Sequence, residues 1–111
     1  MTPTERSLRE ARRRGWYAPA QCVTEVMTVR KVRRDFLGIV DMIVLDGEPG
    51  CHALQVTTSS NLAARMTKAR ENEHLPHWLR AGNRFSIWGW LHNAAGKWVL
   101  REVAVGPQDL A

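Results

Sequence analysis

The sequence predicts an α/β domain, a small mixed sheet flanked by helices in the order αβββαββ. Three observations lead there. At 111 residues the chain has room for one core and not for two. Helix start and stop signals bracket residues 2–15 and 59–72, while β-branched and alternating runs fill the stretches between and after them. Two apolar runs joined by "NAAG" close the chain as a hairpin. Residues 1–105 are expected to form one domain and "GPQDLA", residues 106–111, a tail.

In chain order, "TPTE" opens the first helix, with Thr2 as N-cap, Pro3 in the first turn and Glu5 closing a capping box. The helix should run to about Arg14, with Gly15 where a C-cap glycine belongs. "QCVTEVMTV" reads as the first strand. "RKVRRDFLG" is a basic approach, and Gly38 permits a sharp entry into the second strand, residues 39–45. "DGEPG" is a turn dense in breakers, and residues 51–58 make the third strand. Ser59 or Ser60 then caps a helix to about Asn72, with Leu62, Met66 and Ala69 on its apolar side and Asn61, Arg65 and Lys68 on the other. "LPHWLRAG" holds one more helical turn, and "RFSIWGWLH" and "KWVLREVAV" are the hairpin strands.

Composition narrows the function classes. No apolar run approaches the ~20 residues of a membrane helix, and the charged N-terminus lacks the apolar segment of a secretory signal. Two cysteines, Cys22 and Cys51, make no disulfide framework and suit a reducing, cytoplasmic setting as small buried residues. The charge of +5 is unevenly spread, twelve of the sixteen Lys and Arg lying before residue 71 in three clusters. Clustered basic charge is the electrostatic footprint of nucleic-acid binding; the blander reading is a solvated helix face.

The chemistry centres on Asp41, a lone acid among Ile39, Val40, Met42, Ile43, Val44 and Leu45. If the second and third strands pair about Glu48, Asp41 falls opposite Gln55, with Thr57 one diagonal step away. A carboxylate in such surroundings needs a partner. A magnesium ion held by Asp41, Gln55 and the Val56 carbonyl is one answer. Hydrogen bonding to Arg33 or Arg34, or a position at a frayed strand end, is the other.

The element order and the placing of Asp41, Gln55 and Thr57 resemble the PD-(D/E)XK nuclease superfamily, in particular its small Holliday-junction-resolvase-like members. "RRDFLGIVD" followed by "QVTTSSNLAARMTKA" is similar to short phage and bacterial proteins of that kind. The resemblance implies a restriction-endonuclease-like fold and a nuclease that binds DNA and uses Mg2+ or Mn2+. Asp41 matches the metal-binding acid and Gln55 takes the second acidic position, while Glu5 is placed like the helix acid some members add to the metal site. The family lysine falls at Thr57, so the cation would come from Lys68 or Arg65, and otherwise the chain binds nucleic acid without cutting it. Arg33, Arg34, Asn61 and Arg65 are the expected nucleic-acid contacts, and resolvase-like action on two strands implies a homodimer.

The remaining candidates are weaker. Glu5 is sufficiently explained by the capping box, and Asp35 by the arginines before it. His74 and His77 lack the paired ligands of a zinc site. His52 has the opposite parity to Gln55, and no motif for nucleophilic side-chain catalysis is present. Trp88 and Trp90 share a strand face from which they could stack with Trp98 across the hairpin; core packing is the expected role of at least two tryptophans, and an exposed Trp beside Arg80 or Arg84 would instead stack on unpaired bases.

Overall fold

The computed structural model describes residues 1–24, 26–27 and 33–111, with residues 26–27 and 33–34 described by their backbone only. Helix α1 (Pro3–Arg13) begins at the expected capping box: the Thr2 hydroxyl accepts the Glu5 N–H at 3.2 Å, and the Glu5 carboxylate accepts the Thr2 N–H at 3.0 Å. After it, Cys22 ends a 3-10 turn (Ala20–Cys22) where the first strand was expected to begin. Two short strands, β1 (Val26–Met27) and β2 (Arg33–Arg34), pair antiparallel as a separate ribbon.

The main sheet has the order β3-β4-β5-β6, built from Met42–Val44, His52–Thr58, Arg84–His92 and Trp98–Ala104. The β3–β4 pair is antiparallel, β4–β5 parallel and β5–β6 antiparallel. The parallel pair needs a crossover, supplied by a 3-10 turn (Ser59–Asn61), helix α2 (Leu62–Arg70) and helix α3 (Leu75–Arg80). The protein is therefore a mixed α/β fold with a four-stranded sheet flanked by helices. Among the described residues, no helix is long and apolar enough to cross a membrane.

Strand alternation divides the core in two. Ala53, Phe85 and Ile87 face α2 and α3, together with Ala69, Leu75 and the half-buried Leu62 and Met66. Met42, Val44, Leu54 and Trp88 face α1, against Ala11, Leu8 and Trp16. Burying such side chains is worth about 1.5–3 kcal/mol each, so the sheet is held from both faces.

Two expectations are corrected. The second strand is three residues long rather than 39–45, because residues 36–40 close a turn (Val40 N–H to Phe36 carbonyl, 2.8 Å) and both Ile39 and Val40 enter the α2 side of the core. Residues 106–111 are docked: Leu110 packs on that same cluster, and the Ala111 N–H reaches the Arg70 carbonyl at 3.3 Å. The core-packing expectation holds for two tryptophans: Trp88 is fully buried and tilts against Trp16, and Trp90 is buried, while Trp98 stacks on His92.

Candidate functional site

Met42 pairs with Leu54 and Val44 with His52, a register symmetric about Glu48. Asp41 sits just before β3, in a bend. Its N–H donates to the Leu54 carbonyl at 2.9 Å, so Asp41 and Met42 both lie against Leu54, the two-against-one count of a β-bulge. The parity expected to put Asp41 on the face of Ile43 therefore stops one residue short of it. Its carboxylate instead turns along the edge of β4 and accepts the Val56 N–H at 2.7 Å. The carboxylate thus continues the ladder that β3 leaves unfinished, and it lies one residue from Gln55.

Gln55 and Thr57 share the α2 side of β4 with Ala53. Gln55 is only 2% exposed, and among the described residues its Oε1 finds no hydrogen-bond donor. A buried acceptor left open in this way is uncommon and asks for a donor or a cation. Because the N–H and C=O of a strand residue point to the same neighbour, the Val56 carbonyl leaves β4 on the Asp41 side. One carboxylate, one amide oxygen and one backbone carbonyl are oxygen donors of the type magnesium takes. The donor types suit such an ion, with water supplying the remaining ligands.

The other expected site residues are dispersed. Thr57 is buried. Lys68 is exposed on a groove of about 580 Å³ whose described lining is Leu37, Gly38, Glu71, Asn72, Glu73 and His74 and includes neither Asp41 nor Gln55. Arg65 is half-buried, on the side of α2 that carries Leu62 and Met66, and so departs from the exposed face expected for it with Lys68. Asn61 donates to the Thr58 hydroxyl at 3.2 Å within the turn that precedes α2. Glu5 is held in its capping box. The side chains of Arg33 and Arg34 lie outside the described residues.

Two arrangements escaped the sequence reading. The first is a polar network at the amino end of β4. Asp46 accepts from Arg84 Nη1 and Nη2 at 2.5 and 2.6 Å and pairs with His52 Nδ1 at 3.1 Å, while His52 Nε2 lies 2.8 Å from the Ser86 hydroxyl. Carboxylate, imidazole and hydroxyl follow the order of a hydrolytic triad, but the electrostatics point elsewhere. Arg84 clamps the carboxylate and, with the Glu48 and His52 contacts, holds the Asp46 carboxyl far below the usual range despite burial. Burial pushes His52 below its ordinary value against the pull of Asp46, which makes it a poorer base. The network is a pin joining β3, β4 and β5.

The second arrangement is a brace behind Asp41. Leu37 has φ +56° and Gly38 φ +77°, a left-handed pair that turns the chain toward Asp41. Asn72 holds it: its Nδ2 donates to the Leu37 carbonyl at 2.9 Å, while its Oδ1 accepts the His74 and Leu75 N–H groups at the start of α3. The signal for Asn72 was faint, an asparagine where a helix was expected to end.

Comparison with known proteins assigns no family: no family model, curated protein or solved structure matches the chain.

Proposed function

We propose that this protein binds nucleic acid on a restriction-endonuclease-like fold and hydrolyses phosphodiester bonds in DNA at Asp41 and Gln55. What carries the reading is the buried Oε1 of Gln55, without a donor among the described residues, on the residue next to Val56, whose N–H holds the Asp41 carboxylate. A divalent ion bound there would polarise a phosphate and activate water. The chain's own part is to hold the donors: Val56 N–H orients the carboxylate, and the Asn72 brace fixes the turn that leads into it. Basic helix surfaces would attract the polyanion. A helix, an antiparallel strand pair, a crossover and a parallel strand are in keeping with the PD-(D/E)XK resemblance noted in the sequence.

A second reading, a non-cleaving nucleic-acid-binding or regulatory protein on the same fold, is favoured by two observations: the family lysine position is a buried Thr57, and Lys68 faces a different groove. Incubation with branched and linear DNA, with and without Mg2+ or Mn2+, separates the two. Metal-dependent cleavage abolished by Asp41→Ala supports the nuclease. Binding with no cleavage under either metal leaves the binding module, and cleavage indifferent to Asp41→Ala removes Asp41 from the chemistry.

A further inference from the structure

We propose that Arg6, Arg9 and Trp98 form a docking platform for a nucleic-acid strand at the carboxyl end of β5, an inference that rests on the nucleic-acid reading above and names where the strand is gripped. The Arg6 guanidinium lies 3.7 Å from the centroid of the Trp98 ring, and His92 stacks on the same Trp at 4.8 Å. Trp98 remains 43% exposed. Arg9, one turn further along α1, joins Arg6, Arg13, Trp90, Trp98 and Met1 around a cleft of about 180 Å³, whose one acid, Glu10, is paired with Arg13 and Arg14.

Charge distinguishes this patch from the rest of α1. Arg13 and Arg14 are both paired with Glu10, and Arg14 also with Glu102. Arg12 donates to the Ala18 carbonyl. Among the described residues, Arg6 and Arg9 have no acidic partner; their hydrogen bonds go only to the Met1 carbonyl and sulfur. A guanidinium stacked on an indole is held flat, with most of its donors still open, and suits bidentate contact with phosphate. With Arg6 and His92 both stacked on it, the indole keeps an exposed edge for contact with an unpaired base. If the stack were only a staple between α1 and β6, the stacked arginine would need no second unneutralised one beside it.

The platform lies on the α1 side of the sheet, with Trp90 and His92, while Gln55 lies on the α2 side. Val56 is in register with Trp88, and His92 with Trp98. Four residues along β5 and two inter-strand spacings therefore separate Val56 from Trp98, about 16 Å. That is roughly five nucleotides of one strand at ~3.4 Å each.

The test uses a fluorescein-labelled 12-nucleotide single-stranded DNA, longer than this span, with EDTA present so that nothing is cleaved. Anisotropy is read at 50 and 200 mM salt. The expected result is that Arg6→Gln/Arg9→Gln weakens binding at least tenfold and lowers the salt slope by about 1.4, and that Trp98→Ala weakens it and abolishes part of the tryptophan quenching. Arg6→Lys, which keeps charge without the planar stack, is expected to fall between. Arg12→Gln, the loss of one charge on the same helix away from the cleft, should bind within threefold of the unaltered protein. Thermal melts establish that each variant is folded. Tight binding by the unaltered protein that is indifferent to Arg6→Gln/Arg9→Gln overturns the platform and leaves the nucleic-acid reading standing. No binding by the unaltered protein at 50 mM salt overturns both.

Discussion

Replacing Asp46 by Asn tests whether the buried network is a pin. The carboxylate is 6% exposed and serves four donors: two guanidinium nitrogens of Arg84, the His52 ring, and the Glu48 N–H at 3.2 Å. Asn keeps the shape and one acceptor oxygen but turns an NH2 toward the guanidinium and removes the charge. Hydrogen bonds to charged groups contribute about 1.5–3 kcal/mol each. The Arg84 side chain is 36% exposed, so water takes up part of what it loses. The net expected loss is about 3 kcal/mol, roughly a 15 °C fall in Tm for a domain of this size. Urea denaturation should show a lower midpoint at unchanged m, and the Asp46→Asn/Arg84→Met pair should be non-additive by about 1 kcal/mol. A change below about 0.5 kcal/mol, or full additivity, would refute the pin. A loss of DNA cleavage with stability intact would do so too, by giving the network a role in the chemistry.

Three further outcomes are expected. Because burial lowers the folded-state pKa of His52, the unfolded chain binds the extra proton first: stability is level above about pH 6.5 and falls as pH drops below it, by up to about 1.4 kcal/mol at pH 5.5; denaturation at the two pH values should show a decline that His52→Gln diminishes, since Gln does not titrate. Gly50→Ala should cost at least about 3 kcal/mol, since φ is +80° and a Cβ would lie 2.1 Å from the Gly82 carbonyl oxygen, whereas Gly96→Ala, with φ +78° and open space around it, should cost about 1 kcal/mol; equal melting shifts would contradict this. Asn72→Ala removes three hydrogen bonds and should lower stability by about 2 kcal/mol, and amide exchange should speed up at Ile39 and Val40 if the brace holds the turn as described.

The sequence by itself determined the features that neighbours along the chain can settle between them. Thr2 and Glu5 are three residues apart and needed only a helix to find each other. The breakers of "DGEPG" set a β3–β4 register symmetric about Glu48, and "NAAG" set the β5–β6 hairpin. Tertiary structure decided the features that depend on elements meeting. Alternation could not follow Asp41 through a bulge, so the bond from Val56 N–H to its carboxylate, across fifteen residues, was invisible to parity. Asp46 meets Arg84 across thirty-eight residues, and Asn72 meets Leu37 across thirty-five. Arg6 reaches Trp98 only because α1 lies against the hairpin. Local signals specify backbone conformation, because capping and turn chemistry act within a few residues. Which polar side chains come within hydrogen-bonding reach is settled by how helices cross the sheet, and no spacing along the chain carries that.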